Sequence, residues 1–152
     1  MVSLGLLILR VVIGGIMMVH GYTKVFGGPG KSKEVSPETE KLLGKGFSQH
    51  MDYGGLANVS GFLQSVGVPN AKPAAIALMV TEFGGGLALI LGWRTRPAAL
   101  AIATSQAVAV QKVHLPHGMI SAAPDAGWEL NAALAAAAGA LVLTGPGAIA
   151  LD

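Results

Sequence analysis

The stretch Leu4-Gly5-Leu6-Leu7-Ile8-Leu9-Arg10-Val11-Val12-Ile13-Gly14-Gly15-Ile16-Met17-Met18-Val19, continued through His20, Gly21 and Tyr22 to Phe26, decides how this chain is read. It is apolar apart from Arg10, and at ~1.5 Å of rise per residue it is long enough to cross ~30 Å of hydrocarbon. A cleaved leader is the competing reading. Met1-Val2-Ser3 carries no Lys or Arg, Arg10 interrupts the apolar run and no small-x-small cleavage site follows, so a retained helix is expected. Composition points the same way: 52% of the 152 residues are hydrophobic and only 12% are charged, against roughly 25% charged in an ordinary soluble domain. Such thin charge cover makes lipid the expected solvent. The net charge of +2 is spread without a basic run, so no nucleic-acid footprint is visible. Cys is absent, which removes disulfides, iron–sulfur clusters, Cys-ligated zinc and any Cys-based redox centre.

Three more apolar stretches follow. One runs from Pro73 to Gly92, opened by Pro in a first-turn position and broken only by Thr81 and Glu82. Another begins at Pro97, directly after Gly92-Trp93-Arg94-Thr95-Arg96, and reaches Val113; so tight a connection makes the two helices antiparallel neighbours. The last runs from Trp128, an interfacial anchor, to the stop signal Thr144-Gly145-Pro146-Gly147. The expected fold is all-α: one domain over 1–152, a transmembrane antiparallel four-helix bundle with spans at about 4–26, 73–92, 97–113 and 128–144. Both termini and the Trp93–Arg96 turn then share one face, here face A. The opposite face, B, carries a long loop from Gly27 to Lys72 and a shorter one from His114 to Gly127. Lys31 to Lys45 reads as solvated and charged. Leu56, Val59, Phe62, Leu63 and Val66 then recur at helical spacing before Gly67 and Pro69, which predicts a short amphipathic helix lying on the membrane or capping the bundle.

Ionisable groups inside a span need a reason to be there. Counted by helix rise from face A, Arg10 lies ~9 Å deep, Gln106 ~13 Å, Glu82 ~15 Å, Gln111 ~21 Å and His20 ~24 Å. Glu129, Asn131 and His114 fall near face B. Arg10 and Glu82 are expected to form an intramembrane ion pair, which the long Arg side chain can reach. His20, Glu82, Gln111, His114, Glu129 and Asn131 are the candidate cofactor-binding residues. Haem between His20 and His114 is not expected, because their depths match poorly and His114 adjoins Leu115-Pro116. His114 and His117 lack the i, i+4 spacing of a helical zinc pair, and His50 stands isolated, so no metal site is expected.

His20-Gly21-Tyr22-Thr23-Lys24-Val25-Phe26-Gly27 is similar to the H-G-x-x-K-x-F-G of the DoxX family. Gly61-Phe62 through Gly67-Val68-Pro69 resembles its short helix ending in G-x-P. Glu82 with Gly85-Gly86, Leu91-Gly92 and Thr95-Arg96 resembles its second-helix pattern and T-R turn. His114-Leu115-Pro116-His117-Gly118, Gly127-Trp128-Glu129-Leu130-Asn131 and Gly145-Pro146-Gly147 through Asp152 resemble the rest. The resemblance implies a four-helix protein of the bacterial cytoplasmic membrane with both termini in the cytoplasm. Lysines on face B and arginines on face A leave that orientation open by charge alone. It also implies kinship with the small membrane subunit of thiosulfate:quinone oxidoreductase, and with membrane complexes that handle oxidative stress.

Two functions from different classes follow. The first is a membrane subunit of a quinone-linked redox or oxidative-stress system, with a quinone as cofactor and its head group near face B. Electrons would then come from a partner protein or a diffusible donor. The alternative is a noncatalytic anchor that docks soluble partner enzymes. A transporter is disfavoured, because inverted repeats are not visible. Beyond the lipid bilayer, a protein partner or a second copy of the chain is expected, and nucleic acid is not.

Overall fold

Helix α1 (Val2–Phe26) of the computed structural model runs through the whole of the first apolar stretch and stops where Gly27 turns to extended backbone, its N–H bonded to the Thr23 carbonyl. The structure describes residues 1–122 and 126–152, so residues 123–125 of the shorter face B loop lie outside the described residues. After a single 3₁₀ turn at Lys31–Glu34 come three short helices: α2 (Pro37–Leu43), α3 (Lys45–Tyr53) and α4 (Leu56–Ser65). A longer helical rod follows, made of α5 (Ala71–Met79), a π turn (Val80–Gly85) and α6 (Gly86–Leu91). Helix α7 (Thr95–Ala109) continues through a second π turn, Val110–His114, and α8 is Glu129–Thr144. The described residues are all-α, with no β-strand among them. Two of these rods, Val2–Phe26 and Ala71–Leu91, are long and apolar enough to cross a membrane.

The stretch Lys31–Lys45, read from sequence as a solvated loop, is largely helical. Ser36 caps α2 by accepting a hydrogen bond from the Thr39 N–H, Pro37 occupies the first turn, and Glu38 and Glu40 complement the positive end of the helix. Helix α4 sits where the apolar spacing put it. Val59 and Leu63 are buried against Ala75 of α5, so it packs on the second long rod.

Helix α1 packs on the π turn and α6, α7 packs on that same rod and on α8, and α8 returns to α1. Their shared core is Ile13, Met17, Leu89, Ala99, Ile102, Leu134, Ala138 and Leu141. In lipid, no hydrophobic gain drives helices together, so close van der Waals approach must do it. Glycines supply that approach. A Cβ at Gly14 would lie 2.6 Å from the Gly86 carbonyl oxygen, one at Gly86 would lie 2.6 Å from Met18 N, and one at Gly21 would lie 2.3 Å from Phe83 N.

The end holding the termini is closed by Arg10. Its side chain is fully buried, with Nη1 donating to the Pro146 carbonyl (2.7 Å) and Nη2 to the Ile149 carbonyl (2.6 Å). This corrects the expected Arg10–Glu82 pair. The tail after α8 folds back beneath the bundle and offers Arg10 carbonyl oxygens at its own level, while Glu82, farther along, is held by Lys24. The same tail reaches the α6–α7 turn. Gly92 adopts the left-handed conformation (φ 65°), and its carbonyl accepts from the N–H groups of Leu151 and Asp152. The Asp152 carboxylate in turn accepts from the Arg94 and Thr95 N–H groups and caps α7.

The close approach is testable by adding one methyl group. Gly21→Ala should cost ~1–3 kcal/mol through overpacking. Gly15→Ala, with open space around its Cβ, should be neutral or stabilising by up to ~1 kcal/mol. Thermal unfolding of both variants in detergent makes the comparison; equal midpoints would show that the glycine contact contributes nothing.

Candidate functional site

His20, Thr23 and Lys24 stand three and four residues apart on one face of α1. The Thr23 hydroxyl donates to the His20 carbonyl (2.9 Å) and so satisfies itself within the helix. Lys24 extends across to the second rod, where its Nζ donates to Glu82 Oε2 at 2.5 Å. The Glu82 side chain is 7% exposed and that of Lys24 26%, so the carboxylate is buried and the ammonium lies at the edge of the pair. Glu82 belongs to the Val80–Gly85 π turn, a local widening of the helix that recurs at functional positions. The contact between Gly21 and the Phe83 backbone fixes the level at which Lys24 meets it.

Helix α3 is fastened to the end of α1 by backbone. Gly28 N–H donates to the Met51 carbonyl (2.7 Å) and Gly55 N–H to the Lys24 carbonyl (2.9 Å). Gly27 and Gly54 permit this docking, since a Cβ at either would fall within 2.5 Å of a carbonyl oxygen on the other segment. On another side of α1, Tyr22 and Phe26 (ring centroids 4.7 Å apart) gather Phe47 of α3 and Phe83 of the π turn. These contacts bring His50 of α3 opposite His20, with ring centroids 5.9 Å apart. Partial burial and then the positive charge of Lys24 lower the pKa of His50 below its ordinary value, so its ring is neutral at neutral pH.

Between α1, α3 and α4 lies a cavity of about 570 Å³. His20, Lys24 and His50 form its polar end; Ala57, Val59 and Phe62 of α4 give it an apolar wall, and Asn58 adds one amide. A volume of a few hundred Å³, mostly apolar walls and a few convergent polar groups are what a small-molecule site requires.

Of the six residues singled out from sequence, the structure brings His20 and Glu82 together through Lys24. The others lie around α7 and α8 with different partners. His114 Nδ1 is 2.9 Å from the Ala126 carbonyl, Glu129 Oε1 accepts from the Ser121 N–H (2.9 Å), and Asn131 donates to the buried Gln106 (2.9 Å). Gln111 is exposed in the second π turn. His50, read from sequence as isolated, is the correction that matters most, and Tyr53, Asn58 and Phe62 join it. Phe47, His50 and Met51, three and four residues apart between Gly44 and Gly54, carried the signal of a short helix there.

Long apolar helices, buried ionisable groups and close glycine contacts are features of a membrane-associated helical protein. The chain belongs to the DoxX family, whose profile matches residues 5–115 and so spans the whole cavity lining. Neither the curated proteins nor the solved structures include a match to the chain.

Glu82→Gln strands the Lys24 ammonium. A fully buried pair broken in this way costs ~3–5 kcal/mol; with Lys24 partly exposed, a loss of ~1–3 kcal/mol is expected. Adding Lys24→Gln should recover part of it, and adding Arg10→Gln should not. Recovery by Arg10→Gln alone, in thermal melts of the double variants, would restore the Arg10–Glu82 pairing.

Proposed function

We propose that this protein is the membrane-embedded, quinone-binding subunit of a redox system, folded as four antiparallel spans with both termini in the cytoplasm. The observation that carries this reading is the joining of a charged and imidazole-lined end to an apolar wall in one cavity. A quinone presents two carbonyl oxygens on a flat ring and an apolar tail. His20, Lys24 and Asn58 offer hydrogen-bond donors for the oxygens, and Phe62 with Ala57 and Val59 offers the surface for ring and tail. Reduction of a quinone supplies two-electron chemistry and takes up two protons at the ring oxygens, the electrons coming from a reduced partner protein. For its part, the chain would orient the ring, exclude bulk water with the α4 wall and hold a proton at a His20 ring nitrogen. Glu82 keeps the Lys24 ammonium in place at the cavity edge.

The binding claim is checked on protein purified in mild detergent and titrated with a short-tailed benzoquinone by equilibrium dialysis. Saturable binding is expected, weakened at least ~10-fold by His20→Ala, equivalent to ~1.4 kcal/mol. Absence of saturable binding, with a soluble enzyme copurifying in stoichiometric amount, would favour the anchor reading instead.

Orientation has its own check, made simple by the lack of native Cys. Lys41→Cys, in α2, should react with a membrane-impermeant maleimide added to intact cells, and Arg94→Cys, in the α6–α7 turn, should react only after lysis. The reverse pattern would invert the protein in the membrane.

A further inference from the structure

A second, smaller cavity of about 190 Å³ lies beside the first, between Val19 on α1 and Leu43, Gly46 and Phe47 on the α2–α3 hairpin. Three residues line both cavities: His20, Thr23 and His50. The Thr23 hydroxyl is already turned to the His20 carbonyl, which leaves the two imidazoles as the chemically active part of the partition. Their exposure is graded. His50, on the outer helix, is the more exposed of the two, and His20 on α1 is half-buried. With ring centroids 5.9 Å apart, the two rings are too far apart for a direct hydrogen bond and at the spacing that one bridging water spans.

From this geometry we infer that His50 is a proton-relay residue, passing protons between the smaller cavity and His20, and through His20 to the oxygen of a head group bound in the larger one. This rests on the quinone-site reading and adds a route to it. Each transfer balances. His50 takes a proton from water at one ring nitrogen and releases the proton on its other nitrogen to a bridging water, which passes one of its own to His20. His20 does the same toward the ligand oxygen, and both rings return to the neutral state with their tautomers exchanged. The charged neighbours suit that cycle. Lys24 on α1 is the fixed cation nearby, bound by Glu82 of the π turn, and its field opposes a lasting positive charge on His50. A proton therefore passes through and does not stay. Tyr53 of α3 adds a phenol to the lining of the larger cavity.

The test separates proton delivery from binding. Its probe is an alkyl-tailed 2-hydroxy-1,4-naphthoquinone, whose hydroxyl changes colour when it ionises. The purified protein is loaded with this probe, and the relaxation of its absorbance after a pH jump is followed on the bound fraction alone. His50→Ala should slow that relaxation at least ~10-fold, a conservative share of the 10²–10⁴ attributed to a positioned proton-transfer group. Free imidazole, which fits the space the substitution opens into the smaller cavity, should restore it. His50→Gln keeps the volume and a hydrogen bond but cannot relay, so it should be slow as well and guards against loss of folding in the alanine variant. An unchanged rate in folded His50→Gln, or slow variants that imidazole does not rescue, overturns the relay while leaving the ligand site standing. Failure of the wild-type protein to bind the probe overturns the ligand site itself, and the relay with it.

Discussion

Everything at the proposed site depends on how closely α1 can approach the second rod. In lipid, two apolar helices gain nothing by leaving the solvent, so their contact must come from dispersion between surfaces that fit. Gly14, Gly21 and Gly86 remove the side chains that would hold the backbones apart. That contact sets the register of one rod against the other. With Gly21 against Phe83, the next turn of α1 places Lys24 beside Glu82, and the previous residue places His20 on the cavity side. The ion pair follows from the packing; it does not create it.

Such an order of causes explains why a buried charge is tolerated. A carboxylate as buried as Glu82 would be costly alone, but the ammonium is delivered by an element already fixed by backbone contact. The opposite end of α1 meets the same difficulty in another way. Arg10 is fully buried and is answered by carbonyl oxygens of the returning tail, which the helix-ending glycines at 145 and 147 allow to turn. One cation is thus neutralised by a carboxylate and the other is solvated by peptide groups. The first leaves an edge that faces a cavity; the second is closed.

The long helices were legible because the apolar runs at 4–26 and 73–92 are too long for most other readings, and Gly92 and Pro97 mark the turn between α6 and α7. Helix α4 was legible from its apolar spacing. Helix α3 was not, because Lys45-Gly46-Phe47-Ser48-Gln49 is polar enough to pass for loop and its stability comes from backbone bonds to α1 that no local pattern announces. His50 was lost with it. The Arg10–Glu82 pairing failed for a related reason: depth along a helix says how far two groups lie from a surface and nothing of which neighbours they face. Carbonyls more than a hundred residues away in the chain were invisible to a reading confined to side chains.

A site built this way places its specificity on two kinds of support. The half made by α1 and the π turn is rigid, since shifting it would separate the glycine contacts and the ion pair together. The half made by α3 and α4 is held by two backbone bonds at Gly28 and Gly55, the aromatic contact of Phe47 with Tyr22, and the small Val59–Leu63–Ala75 cluster. Elements with few buried contacts open at lower free energy than the core they rest on. A ligand with an apolar tail could therefore enter by loosening α3 and α4 without disturbing the rods, and the polar end that receives its head group would already be in place. The division would suit the proposed chemistry, in which holding a head group at His20 and Lys24 would need fixed geometry, whereas admitting a bulky tail would need a wall that can give.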